Sequence, residues 1–485
     1  MTRHRALQFL AFLALTIPAL PPALFPFFQP YTFGKTTLFE IIVEAMALVW
    51  LSTRLFRAWT IFTRPYLVKI ALLTFAVAAT LSTLFADNPV TSFWGSSARM
   101  DGLFTLFHFV IFFFMLAASF AENAWRRLMQ VSVGAGTFAA LYGIAQWFGA
   151  PFVVASGGEI FGTLGNPSYL ALYLLFTVFL AHHLAQQESK RETAILLYCA
   201  AAIQVIALLL TQVQAATLAL AAGALVAAYP HIRARITLTR SAVALISIGA
   251  LIFLFSFSAN FAKLASLSEG GASLYNRIAV WRIALSGIAE KPLFGHGANN
   301  FESYYLAQKN MGGVPLPATG ETFDKPHNAY LELAFSYGIV GLAAYLFFVG
   351  MIIRRARAFP ALWGALMSYL AFLFFFFDTF ASLLVFFFVA AFLFSSSPEE
   401  NSDSAVQKTV SPFTLVAGGI ALAAIFFTFH FRPLYSAYFA RQFLMQTATT
   451  QTSNETLKAK ALRHHAFNAP FIERAILLAE RVIKK

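Results

Sequence analysis

The stretch DKPHNAYLELAFSYGIVGLAAYLFFVG, residues 324–350, joins a polar turn to a helix suited to lipid. After Pro326, His327 and Asn328 the chain stays apolar for longer than the roughly 20 residues that cross a hydrocarbon core of about 30 Å. This pattern predicts a membrane-spanning helix with a histidine at its mouth. The side of the membrane that the mouth faces decides which molecules the histidine meets.

Apolar runs of this length recur from the N-terminus to about residue 429. The chain of 485 residues is 59% hydrophobic and 11% charged, and its mean hydropathy is +0.69. These values exclude a soluble globular protein and indicate an all-α fold, a polytopic membrane helix bundle of about 12–13 transmembrane helices. Cys199 is the single cysteine, which rules out an internal disulfide and a cysteine-rich metal site.

The first apolar run follows three basic residues but continues through four prolines and lacks a small-x-small cleavage site. We therefore interpret it as a retained span and not as a signal peptide. The predicted spans cover residues 6–28, 37–57, 66–86, 102–121, 126–148, 166–183, 193–211, 214–229, 241–262, 327–353, 359–377, 379–395 and 411–429. Residues 1–429 form the transmembrane domain, and residues 430–485 form a C-terminal amphipathic helical tail.

Lysine and arginine are concentrated in alternate connections, as the positive-inside rule requires of cytoplasmic loops. These residues are Arg54, Arg57, Arg64, Lys69, Arg126, Arg127, Lys190, Arg191, Arg233, Arg235, Arg240, Arg354, Arg355 and Arg357. The formal net charge of +13 is then first of all a topology signal. The alternation predicts that the long loop 263–326, between the ninth and tenth spans, faces the periplasm or the outside, together with His327 and the tail.

Few ionisable residues fall within the predicted spans. Glu40 and Glu44 lie in the second span, and Asp378 lies in a tight turn. Charge inside the membrane is costly and usually marks a transport path, whereas most of the polar residues here are gathered in the outer loop. This distribution favours binding or reaction at the outer face over passage through the middle.

Residues 276–301 of the loop, NRIAVWRIALSGIAEKPLFGHGANNF, begin as an amphipathic helix that Pro292 ends. Arg277 and Arg282 occupy neighbouring faces of this helix. Guanidinium groups pair well with phosphate oxygens, so an anionic substrate is predicted. The alternative is that both arginines reach lipid headgroups or form surface ion pairs.

His327 is expected in the first turn of the following helix. The positive end of the helix dipole disfavours imidazolium there, which keeps the ring neutral and able to accept a proton. A neutral histidine is what a general base requires. The alternative is an interfacial hydrogen bond without a catalytic role.

Four segments in order resemble the superfamily of O-antigen ligases and O-antigen polymerases, which includes bacterial protein O-oligosaccharyltransferases. Residues 81–109, LSTLFADNPVTSFWGSSARMDGLFTLFHF, carry its Trp-Gly and Arg-x-x-Gly-Leu elements. Residues 161–175, FGTLGNPSYLALYLL, are similar to its Gly-Thr-x-Gly-Asn-Pro entry to a span. Residues 276–301 carry Arg-x-x-x-Trp and Pro-x-x-Gly-x-Gly, and residues 327–346 carry the His-Asn motif and a glycine-rich span.

The resemblance implies a membrane glycosyltransferase of the GT-C type that works without metal, nucleotide sugar or other cofactor. Its donor would be a glycan on a polyprenyl diphosphate, such as undecaprenyl diphosphate in lipopolysaccharide synthesis, and its acceptor a lipid, glycan or protein hydroxyl. His327 would be the base, and Arg277 would hold the leaving diphosphate. Arg282, Arg99 and Asn328 would also bind substrate. The location would be the bacterial cytoplasmic (inner) membrane, with no nucleic-acid partner.

One position departs from the family pattern. In LLLTQVQAATLALAAG, residues 208–223, Gln214 stands where many members carry the arginine of a Ser-Arg-Gly element that binds the diphosphate. Glutamine donates a hydrogen bond but supplies no charge, so Arg282, Arg99 or Lys325 substitutes, the donor binds differently, or the chain is inactive. Alternatives from other classes are a flippase for lipid-linked oligosaccharides and a non-catalytic scaffold.

Overall fold

The computed structural model describes residues 3–54, 66–96, 98–154, 157–235, 269–311, 322–395, 412–450 and 454–462, with residues 472–473, 475–477 and 479–480 near the C-terminus. This part of the chain is helical, and the prediction of an all-α polytopic membrane bundle is confirmed. The helices are α1 Arg3–Thr16, α2 Phe33–Arg54, α3 Tyr66–Leu84, α4 Pro89–Trp94, α5 Leu103–Ser119, α6 Glu122–Trp147, α7 Pro167–Gln187, α8 Arg191–Leu210, α9 Gln214–Arg235, α10 Glu269–Glu290, α11 Phe301–Met311, α12 Ala329–Ala356, α13 Pro360–Leu373, α14 Phe380–Leu393, α15 Pro412–Ile425, α16 Arg432–Thr450 and α17 Glu455–Leu462.

Hydropathy located most of the membrane helices, but the last one, Val416–Thr449, continues past the predicted end of its span at residue 429. Within the described residues, six helices are long and apolar enough to cross a membrane: Tyr66–Leu84, Glu122–Trp147, Pro167–Gln187, Arg191–Leu210, Ala329–Ala356 and Val416–Thr449. The shorter apolar helices Leu103–Ser119, Gln214–Pro230, Pro360–Leu373 and Phe380–Leu393 also coincide with predicted spans. The predicted span 241–262 lies outside the described residues.

The first predicted span, residues 6–28, is not one continuous helix. Helix α1 ends at Thr16 and is followed by short 3-10 turns at Ile17–Ala19 and Pro22–Leu24. Proline has no backbone N–H and clashes with the preceding helical turn, so the cluster of prolines after residue 17 ends the helix. The expectation of a helical first span is therefore wrong beyond Thr16.

Small residues allow the helices to pack closely. Helix α9 crosses α13 so tightly that a Cβ at Gly223 would lie 1.8 Å from Ser368 Oγ and 2.5 Å from Gly364 O. In a bilayer, where apolar side chains gain little by leaving lipid, such small-residue contacts supply much of the helix association. Helix α7 lies deepest, with residues Leu170–Ala181 buried along its whole circumference.

The connections that the charge pattern assigns to one side meet at one end of the bundle. A cleft at this end is lined by Tyr31 from the α1–α2 connection, Arg99 from the α4–α5 connection, Leu164 from the α6–α7 connection and Asp378 from the α13–α14 connection. The segment before α12 joins them, because Asp324 pairs with Arg99. The alternation of short connections therefore agrees with the packing of the helices.

Helix α12 is broken at Gly338, whose φ is +67°. The break leaves carbonyl groups of the preceding turn without helical donors. The turn after α10 supplies them: the His296 N–H donates to Phe335 O over 2.8 Å, and the Gly297 N–H donates to Ser336 O over 2.9 Å. The inserted turn thereby fixes α10 against α12.

Candidate active site

Arg99 and Asp324 bring two loops together. Arg99 Nε donates to Asp324 Oδ2 over 2.7 Å, although the two residues are 225 positions apart in the sequence. The guanidinium also lies over the ring of Phe377, 4.6 Å from its centroid. Burial would raise the pKa of Asp324, but the charge and hydrogen bond of Arg99 bring that pKa below its ordinary value. The predicted substrate-binding cation Arg99 is thus already neutralised by a carboxylate.

Lys325 is buried between two carboxylates. Its Nζ donates to Asp101 and to Glu332. Burial alone would lower the pKa of Lys325, but the two carboxylates raise it above its ordinary value, so the ammonium stays charged. The residue anchors the loop before α12 to the loop before α5.

His327 lies two positions before the first residue of α12, Ala329. Asn328 caps the helix, because its side-chain oxygen accepts the N–H groups of Tyr330 and Leu331. The expectation that His327 sits in the first helical turn is therefore wrong, since the Asn328 side chain takes the capping position. His327 instead has a φ of +52°, a conformation that non-glycine residues adopt at a cost of about 1–3 kcal/mol.

The ring of His327 is enclosed by three phenylalanines. Its centroid lies 5.5 Å from that of Phe323, 5.8 Å from that of Phe376 and 5.3 Å from that of Phe377. Burial lowers the pKa of His327, and the nearby charges of Arg277 and Arg99 lower it further, against the opposing effect of Asp324. The neutral ring expected from the sequence is the favoured form, but burial and arginines cause it, not a helix dipole.

The hydrogen bond of His327 fixes which nitrogen can act. Nδ1 lies 3.2 Å from the carbonyl oxygen of Lys325. A carbonyl only accepts, so Nδ1 carries the hydrogen and a neutral ring leaves the lone pair on Nε2. Within the described part of the chain, no residue donates a hydrogen bond to Nε2. That atom is free to take a proton from a hydroxyl group.

Arg277 lies on α10 near His327. Its helix is held to the histidine segment by Trp281, whose Nε1 donates to Pro326 O over 2.9 Å. Burial lowers the pKa of Arg277, yet a guanidinium remains charged at any physiological pH. No carboxylate among the described residues pairs with it. As far as the described residues extend, Arg277 is therefore a partly buried positive charge without a counter-ion.

The other predicted substrate residues lie further out. Arg282 is exposed on α10, and Gln214 is exposed as the first residue of α9. No contact described here joins either residue to His327. Asn328 is near the histidine, but its oxygen is occupied by the helix cap. Substrate binding by these three residues stays a prediction.

A cavity of about 110 Å³ lies beside the histidine segment and was not anticipated. Its charged lining comes from Asp101, Lys325, Glu332 and Asp378. Burial raises the pKa of Asp378 to about 7, although hydrogen bonds from Tyr369 and Ser382 oppose this shift. The sequence contains one indication of these charged residues. The acidic and basic residues of RMDG and DKPH directly precede two predicted spans.

Part of the chain is similar to a known protein family. Residues 199–346 match the family model described as O-antigen ligase. This segment is similar to an O-antigen ligase domain. The predicted superfamily is confirmed, and the matched segment includes Arg277 and His327 but not Arg99. The match agrees with the multi-pass membrane architecture of the helices.

A second comparison covers less of the chain. A protein of Haemophilus influenzae, described as uncharacterized, is 32% identical over 77 residues. The match spans 16% of this chain and 19% of that protein. The likeness to the O-antigen ligase family therefore rests on the family match alone, and this relative adds no activity.

Proposed function

We propose that the chain is a glycosyltransferase of the O-antigen ligase type. It transfers a glycan from a polyprenyl diphosphate to an acceptor hydroxyl at the outer face of the cytoplasmic membrane. The observation that supports this proposal most is the pairing of a neutral His327 with Arg277, whose charge acts on it. Among the described residues, none donates a hydrogen bond to His327 Nε2 and no carboxylate pairs with Arg277. A base and a cation for a leaving group are what this transfer requires.

His327 and Arg277 together account for the proton and the negative charge that the transfer step produces. His327 Nε2 accepts the proton of the acceptor hydroxyl, whose oxygen attacks the anomeric carbon of the donor. The bond between that carbon and the diphosphate oxygen breaks, and the oxygen keeps the electron pair. Negative charge grows on the diphosphate as it leaves, so the Arg277 guanidinium stabilises the transition state more than the bound donor.

Arg277 is the main ligand of the diphosphate, because the other buried cations of the site are paired with carboxylates. Arg99 is neutralised by Asp324, and Lys325 is neutralised by Asp101 and Glu332. Gln214 supplies no positive charge. Among the remaining candidates Arg282 is exposed, and solvent weakens its attraction for an anion. The site accordingly relies on one strong guanidinium contact.

Reconstitution tests the proposal. The protein is placed in liposomes with a polyprenyl-diphosphate glycan and with lipid, glycan and protein acceptors. We expect His327→Ala to abolish transfer, and His4→Ala, at an exposed histidine near the N-terminus, to leave it unchanged. Equal transfer by His327→Ala and the unsubstituted protein would remove the base from the mechanism. Movement of the donor across the bilayer without transfer would indicate a flippase instead.

A further inference from the structure

His296 is a buried histidine that the transfer mechanism does not use. It is 2% exposed and lies where the turn after α10 enters the break in α12. Its Nδ1 lies 2.7 Å from Asp87 Oδ2, in the α3–α4 connection, and its Nε2 lies 2.9 Å from Gly287 O, in the last turn of α10. Its ring stacks on Phe335 of α12, with the centroids 4.5 Å apart. One side chain therefore contacts three separate elements.

Both hydrogen-bond partners of this ring are acceptors. A carboxylate and a carbonyl donate nothing, so each ring nitrogen carries a hydrogen when both bonds are formed. Asp87 also accepts a hydrogen bond from Lys291. A cation is favoured beside the last carbonyls of a helix, where Gly287 lies. The remaining titratable neighbour is Tyr304, whose hydroxyl donates to Glu290.

These contacts fix the direction of α10. Trp281 holds the middle of the helix to Pro326, and His296 holds its last turn at Gly287. The two attachment points are six positions apart, or about 9 Å along a helix. Two points at this spacing set the orientation of the axis on which Arg277 is carried.

We propose that His296 is a positioning residue for glycan transfer, which holds Arg277 beside His327 by clamping the end of α10 against α12. The inference rests on the proposed function. It assigns no contact with substrate to His296. The bond that matters is the one from Nε2 to Gly287, since the bond from Nδ1 to Asp87 holds the α3–α4 connection and not α10.

Two substitutions separate these bonds. The amide nitrogen of glutamine reaches the position of Nε2, and that of asparagine reaches the position of Nδ1. We expect His296→Gln to keep most of the transfer rate and His296→Asn to lower kcat/KM for the donor about tenfold, the effect of one lost hydrogen bond to a charged group. Equal losses in two folded variants, or a larger loss in the glutamine variant, would overturn the proposal.

The effect of His296→Asn on kcat/KM should depend on Arg277. In an Arg277→Ala background we expect His296→Asn to cost less than about twofold, because residues that act through one contact are not additive. A full tenfold cost in that background would show that His296 acts elsewhere. His327→Ala run in parallel isolates the proposed function, which fails if that variant still transfers glycan.

Hydrogen exchange gives a readout that needs no turnover. We expect amides of residues 280–290 in α10 to exchange faster in His296→Asn than in His296→Gln or the unsubstituted protein. Equal exchange in both variants would overturn the clamp whatever the activity. Faster exchange with unchanged transfer would overturn the positioning role.

Discussion

Trp281 and Pro326 are joined by a hydrogen bond of 2.9 Å from the indole Nε1 to the carbonyl oxygen. Trp281 lies one helical turn after Arg277, and Pro326 directly precedes His327. The bond therefore connects the helix that carries Arg277 to the segment that carries the base. This contact explains the tryptophan of the Arg-x-x-x-Trp motif, because the hydrogen bond sets the spacing between Arg277 and His327.

Loss of this bond should reduce transfer without unfolding the protein. Trp281→Phe keeps an aromatic ring against Phe374 but removes the donor. We expect kcat/KM to fall about fivefold to tenfold, as for one hydrogen bond of about 1 kcal/mol. Trp147→Phe, at an exposed tryptophan that ends α6, is the matched control and should leave transfer unchanged. Equal rates for both variants would contradict the role of the bond.

The pH profile of transfer should report the charges around His327. Only the neutral ring accepts a proton, and burial lowers its pKa, so transfer should persist below the ordinary titration range of histidine. Arg277→Gln removes a charge that lowers this pKa, so the acid limb should move to higher pH. Asp324→Asn removes a charge that raises it, so the acid limb should move to lower pH. Shifts in the same direction in both variants would contradict the arrangement.

The spans could be predicted from the sequence, whereas the ion pairs of the site could not. A long run of apolar residues indicates a membrane-spanning helix by itself, and most helices coincide with such runs. The partners Arg99 and Asp324 are 225 positions apart, and Lys325 and Asp101 are 224 positions apart. Nothing in either segment encodes the other. Pairing of this kind depends on how the helices pack, which hydropathy does not specify.

The residue that caps α12 could have been recognised in the sequence. Asparagine is among the preferred residues at a helix cap, and Asn328 occupies that position. The predicted span began at His327, whereas the helix begins two residues later, at Ala329. The neutral state of the histidine was nevertheless predicted, because two different causes, the dipole and burial, favour the same form.

The break at Gly338 should be intolerant of any side chain. A Cβ there would lie 2.1 Å from Leu293 O, and the φ of +67° is strained for other residues. We expect Gly338→Ala to lower the free energy of unfolding by about 3 kcal/mol or more. Gly350→Ala, on the same helix, meets nothing within 4 Å and should be neutral or slightly stabilising. Denaturation in detergent compares them, and similar stability of the two variants would contradict a required break.

The two glutamates of the second span have histidine partners from distant helices. Glu44 Oε1 lies 2.9 Å from His430 Nε2 and 3.3 Å from His108 Nε2. Glu40 accepts a hydrogen bond from Thr105 over 2.7 Å. His430 lies in a π-helical turn, Phe426–Phe431, which joins α15 to the C-terminal helices. The cluster therefore ties the end of the chain to α2 and α5.

Breaking this buried cluster should destabilise the fold strongly. His430→Ala removes one of the two histidine partners of Glu44, and Glu44→Ala removes the carboxylate that both histidines share. Removing one member of a buried pair costs about 3–5 kcal/mol. Because the residues share one interaction, we expect the double variant to lose less stability than the sum of the two. Denaturation in detergent measures these costs against His4→Ala, an exposed histidine. Strictly additive costs, or a His430→Ala variant as stable as His4→Ala, would mean that the carboxylates of α2 are held without His430.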